Sequence, residues 1–232
     1  MGLFDRLKSN RHKTPQQRKE NSIKLLKESG IKVFEGLPVI EGYEEAKTRT
    51  KDEIVQRAVA LCIVSVYAEG FLSDTPIKEN QDFVAPIIEK YNATGFFTEK
   101  EKAFLENENP LPQDAINFSW QYECYNVLLW ALGFSKNLSF PGEICDVSGL
   151  VKILAATPSF EKFYKNSKLR DKEEILDEAD LIYRYDWACV DARINGLDID
   201  KLNSGVVLER HRALNWLINY MEQEWDNIST DT

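Results

Sequence analysis

Apolar side chains along this chain recur mainly three or four positions apart, the spacing of helices rather than of strands. A helix is predicted from about Pro15 to Ser29. Thr14 is its cap, Pro15 its first residue and Gly30 its stop. Thr50 and Glu53 form a capping box, and the helix behind it, DEIVQRAVALCIVSVYAEGF, is apolar over most of its circumference. A helix of that kind is central. A weaker helix spans Pro76 to Tyr91, and Thr98 with Glu101 opens a short one to about Asn107. FSWQYECYNVLLWALG, residues 118–133, reads as one helix closed by Gly133. Asp146 caps a helix over Val147 to Ala156, and Pro158 to Lys165 forms another. EILDEADLIYRYDWA (174–188) and GVVLERHRALNWL (205–217) are the last two. IKVFEGLPVI (31–40) breaks the pattern. It is rich in β-branched residues, is interrupted by Gly36 and Pro38, and predicts one or two short strands, an edge hairpin. The expected fold is mainly α, a single compact multi-helical domain with a small extended or β element near residues 31–40. Residues 1–13 read as a poorly ordered basic arm, 14–48 as an N-terminal helix and extended segment, and 49–232 as the helical body.

Charges interrupt the apolar faces, and those interruptions are the candidate site. At about 100° per residue, Asp186 falls within the face made by Ile175, Ala179, Ile182, Tyr183 and Val190. Arg210 falls near the middle of the face made by Val206, Val207, Ala213, Leu214 and Leu217. Glu69 shares a face with Ala58 and Cys62, near a helix C-terminus where an acid is disfavoured, so it calls for a partner such as an arginine. Glu123 sits among Trp120, Val127 and Trp130. Buried charges are normally paired. Asp186 is therefore the expected partner of Arg210, in one interhelical cluster with Glu123 and Glu69. Asp177, Asp180, Arg184 and Asp191 flank the cluster, and Asp180 and Arg184 stand at the i,i+4 spacing where opposite charges meet. Such a cluster either fixes helix register or holds a small ligand or anion through Arg184 or Arg210.

The 232-residue length suits one large domain or a domain plus a small appendage, and 43% hydrophobic with 11% aromatic content argues against a disordered chain. The net charge of −9 is uneven: residues 1–30 hold eight Lys/Arg against three Asp/Glu, a balance of +5, which leaves −14 for the rest. A body so acidic repels nucleic-acid phosphates. Cys62, Cys124, Cys145 and Cys189 form no CxxC pair, as expected of reduced thiols in the cytoplasm. His12 and His211 are the only histidines, which makes a zinc site unexpected. The N-terminus has no sustained apolar core, Arg6 stands where an N-myristoylation signal has Ser or Thr, and the longest apolar run, 58–68, is short for a membrane span. The expectation is a cytoplasmic protein without a cofactor, partnered by a protein or small molecule and by neither nucleic acid nor membrane.

Two patterns could support catalysis. Glu174, Asp177 and Asp180 are spaced by three, a helical spacing that can bind Mg²⁺, as in all-helical nucleotide pyrophosphohydrolases. That would make the protein a metal-dependent hydrolase of phosphorylated small molecules. Glu209, Arg210 and His211 suggest a base, but no nucleophile is placed beside them, and the Glu-x-x-His metal pattern of helical bundles would need an acid at Leu208. P-loop, GxGxxG, GxSxG and HExxH motifs are absent from the sequence. The leading reading is a non-enzymatic protein that binds a partner or small ligand around Glu69, Glu123, Asp177, Asp180, Arg184, Asp186, Glu209, Arg210 and His211.

The segments RTKDEIVQRAVAL, FSWQYECYNVLLWALG, LRDKEEILDEADLIYRYDWA, VLERHRALNWL and the terminal WDNISTDT resemble the domain of unknown function 4272 family, which is found mainly in bacteria. The resemblance spans roughly Arg49 to Thr232, with the first 48 residues mostly outside it. It implies no catalytic residue. Its motif charges are Arg49, Arg57, Glu123, Asp177, Asp180, Arg184, Glu209 and Arg210.

Overall fold

The computed structural model describes residues 12–232 and is mainly helical, with no strand among the described residues. Ten α-helices follow in order: α1 Pro15–Glu28, α2 Lys51–Leu72, α3 Ile77–Tyr91, α4 Glu99–Glu106, α5 Pro112–Trp120, α6 Tyr122–Ala131, α7 Val147–Ala155, α8 Phe160–Asn166, α9 Lys172–Ile194 and α10 Ser204–Leu217. The basic arm lies outside the described residues as far as residue 11. Its last two residues are held: the His12 ring stacks on Tyr43, and the Lys13 amide donates to Glu173.

The caps read from the sequence are formed. Thr14, Thr50 and Thr98 each accept from the amide three residues on, and Gln17, Glu53 and Glu101 return the bond to the cap amide. Asp146 caps α7 through the Gly149 amide. Helix α2 is long and apolar enough to cross a membrane, but most of it is buried by α3, α5, α6 and other helices packed round it. The apolar circumference thus serves as the domain's core. On its far side α6 packs against α10, which also lies along α9, and α1 closes over α9.

Two expectations are corrected. Residues 31–40 form turns and irregular chain, not a hairpin. The carbonyls that a strand would offer to a neighbour are taken by side chains: Lys19 donates to Glu35 and Leu37, Arg184 to Pro38 and Arg18 to Glu41. With no second extended segment to pair with, these cations satisfy the backbone. Residues 118–133 are not one helix either, because the chain breaks at Gln121. The Phe118 carbonyl, which Tyr122 would use in a continuous helix, instead accepts from the Ser65 hydroxyl of α2 and from the Gln121 amide. Gly133 does end α6 as expected. It has φ +79°, and a Cβ there would lie 2.8 Å from the Lys168 carbonyl oxygen. That close approach lets the amides of Lys168 and Arg170 bond to Leu132 and Ala131.

Candidate functional site

The charges on apolar faces separate into pairs. Arg210 and Asp186 do not meet. Arg210 Nε donates to Glu123 Oε2 at 3.1 Å, and its terminal nitrogens reach the carbonyl and hydroxyl of Ser139. Asp186 Oδ2 instead lies 3.0 Å from His211 Nδ1. The reason is rotational. Arg210 and His211 are consecutive on α10, about 100° apart, so they address different helices. Arg210 faces α6 and His211 faces α9. Counting angles places Glu123, Asp186 and Arg210 in the interior, where they are, but Glu69 is exposed, and Asp186 meets the residue next to the arginine expected.

The remaining candidates fall out in the same way. Glu69 accepts from the Tyr122 hydroxyl at 2.7 Å, so its partner is a phenol and not an arginine. Asp180 and Arg184 form the expected i,i+4 pair with two bonds of 2.9 and 2.7 Å, and Asp180 is 0% exposed. Asp177 is paired with Arg18 and Lys13 from the N-terminal segment. Glu209 accepts from the Cys124 thiol at 3.1 Å, with Arg212 nearby. Burial pushes the carboxyl of Glu209 up, and burial with Glu209 alongside pushes the Cys124 thiol well up. Glu174, Asp177 and Asp180, the acids spaced for Mg²⁺, each have a cationic partner, since Arg170 holds Glu174. No group of three or more potential metal ligands occurs among the described residues.

Two ionic features were missed, one buried and one half-buried. Glu101, legible only as a capping acid, is also the buried partner of Arg57 across α2 and α4. Glu178 stands near Arg210, and burial raises its carboxyl to about 6 despite that cation. A folded-state value above the unfolded one means that its contribution is fully present below about pH 4.5 and is lost as pH rises through about 6. At neutral pH the ionised group therefore opposes folding. Glu178→Gln is expected to gain about 1–2 kcal/mol at pH 7.5 and nothing at pH 4, measured as urea midpoints at the two pH values. An equal gain at both would contradict the burial argument.

A cavity of about 280 Å³ opens where the segment 38–46 faces α9, α10 and the C-terminal residues. That is near the lower end of the roughly 300–1,000 Å³ typical of small-molecule sites. Leu176 and Tyr183 of α9, His211 and Asn215 of α10, and Tyr220 and Met221 form much of its lining. The polar groups in its wall have settled roles. Asn215 Nδ2 lies 2.8 Å from the Ser229 carbonyl oxygen and 3.1 Å from His211 Nε2. The carbonyl requires a donor, so Nδ2 is the amide nitrogen and His211 Nε2 accepts. His211 Nδ1 then carries the proton and donates to Asp186. Asn215 is only 6% exposed, and among the described residues nothing donates to its Oδ1.

The rim carries backbone strain. Asn219, Met221 and Glu222 have φ of 53°, 52° and 56°. The left-handed region costs a non-glycine residue about 1–2 kcal/mol, and such strain clusters at binding sites. Arg49, a motif charge, holds this turn from both sides. Its guanidinium donates to the carbonyls of Trp216 and Gln223 and to Glu224, and its amide donates to Leu217. Neither the cavity nor the turn was legible in the sequence, because both arise where distant segments meet. Of the predicted site residues, His211 alone lines the cavity.

No curated protein and no solved structure matches the chain. A family profile does, over residues 18–228, so the match takes in most of α1, which the sequence resemblance had left outside. By that match, the chain belongs to the family described as Domain of unknown function (DUF4272).

Proposed function

We propose that this is a non-enzymatic cytoplasmic protein that binds a small ligand in the cavity between residues 38–46, α9, α10 and the C-terminal segment. The observation that carries this reading is Asn215. It is a nearly buried side chain in the cavity wall with both amide hydrogens engaged and its oxygen unpartnered. That oxygen is not among the sealed, unpaired polar atoms of the interior, so it opens to the cavity, where a ligand donor can take the place of solvent. The strained turn at Asn219–Glu222 supports the same reading, since the fold sustains its cost at the cavity mouth. The ion pairs serve as the scaffold. Arg184 and Arg210, each 2% exposed, are compensated by Asp180 and Glu123 and offer no open anion site. A hydrolase using Asp177 and Asp180 finds little support, because both carboxylates are neutralised by arginines.

Ligand-observed NMR against a panel of small amphiphilic molecules tests the reading. Binders are expected for the parent, and Ala46→Leu, which fills the cavity, is expected to weaken them at least tenfold while the circular dichroism spectrum is unchanged. Binding that persists in the filled variant would place the ligand elsewhere, and a panel without binders would count against a ligand site.

A further inference from the structure

The cavity's charge pattern points to one class of ligand. Its lining includes the acids Glu41 and Asp231 and no lysine or arginine. Both acids are exposed, and neither has a cationic partner among the described residues. The guanidiniums behind the wall, Arg18 and Arg184, touch the backbone carbonyls of Glu41 and Pro38. Each is already compensated, Arg18 by Glu173 and Asp177 and Arg184 by Asp180.

The hydrogen-bond inventory of the wall leans the same way. His211 has its one proton committed to Asp186 and its lone pair to Asn215. Asn215 has both N–H groups committed and only its oxygen to offer. The acceptors facing a ligand are therefore the Asn215 oxygen and the two carboxylates. The side-chain donors left are the hydroxyls of Tyr183 and Tyr220. A carboxylate or phosphate would meet two like charges and no cation. An ammonium group would find three acceptor groups and two tyrosines in the lining, and aromatic rings attract cations. Leu176, Ile218 and Met221 supply apolar wall for a hydrocarbon body.

We infer that the cavity, if it is the ligand site proposed above, selects small organic amines: a protonated nitrogen held by Asn215, Glu41 and Asp231, with an apolar or aromatic body against α9 and α10. A set of three near-isosteric probes tests this in the full-length protein by calorimetry and thermal shift. The probes are phenethylamine, 2-phenylethanol and 3-phenylpropionate. Phenethylamine is expected to bind at least tenfold more tightly than the alcohol, and the carboxylate is expected not to bind. The double variant Glu41→Gln/Asp231→Asn alters two exposed groups and should fold normally. It should reduce amine affinity about tenfold and leave the alcohol unchanged. Equal or tighter binding of the alcohol or carboxylate overturns the amine selectivity while leaving a small-ligand site standing. An amine affinity unaltered in the double variant also overturns it. Failure of all three probes at millimolar concentration overturns the inference and counts against the site itself.

Discussion

Arg210→Met is expected to lower the unfolding free energy by about 3–5 kcal/mol, the range for removing one partner of a buried ion pair. Arg210 and Glu123 are both 2% exposed. Without the guanidinium, Glu123 keeps only the amide and the thiol of Cys145 as donors, and a carboxylate with neutral donors alone is poorly compensated in the interior. Glu178 loses the cation that favours its ionised form, so its burial cost at neutral pH grows. The Ser139 carbonyl loses its donor as well. The double variant Glu123→Gln/Arg210→Met separates a missing charge partner from a missing shape. Glutamine still accepts from Cys145 and leaves no buried charge, so the double variant should recover to within about 2 kcal/mol of the parent. Urea unfolding at pH 7.5 gives both values. A single variant within about 1 kcal/mol of the parent would mean that water reaches Glu123.

Asp180→Ala is the second large expected loss, again about 3–5 kcal/mol, and it carries a functional consequence that the first does not. The carboxylate makes both charged contacts of Arg184, so its removal leaves that guanidinium buried with the Pro38 carbonyl as its one acceptor. Pro38 lines the cavity. An arginine drawn toward water would pull on the 38–41 segment, so ligand affinity should fall along with stability. Asp177→Ala is the matched control. Asp177 is partly exposed, and Glu173 still pairs with Arg18, so the expected loss is about 1 kcal/mol. Equal losses at the two positions would mean that burial does not set the strength of these pairs.

The legible and illegible parts of this molecule divide by range. Helix ends were readable because a capping box is a reciprocal bond between residues three apart, and Thr14, Thr50 and Thr98 each begin a helix as expected. The Asp180–Arg184 pair was readable for the same reason. That Arg210, Asp186 and Glu123 are buried was also readable, since a face is a property of one helix. Their partners were not, because pairing depends on the rotation of two helices about their axes, and one residue of error exchanges Arg210 for His211. The break at Gln121 rests on a hydroxyl of α2, which no local pattern announces. The turns at 31–40 carry a strand-like composition, yet their carbonyls are bound by α1 and α9.

By itself, then, the sequence determined a mainly α domain, its capped helices, its central α2 and the burial of Glu123, Asp186 and Arg210, because each of these follows from spacing within one segment. Only the tertiary structure decided which charges pair between helices, where the chain bends, and that the polar face of His211 and Asn215 borders an open cavity. The cavity is built from segments near residues 40, 180, 215 and 231, and a void between segments so far apart leaves no periodicity in any one of them.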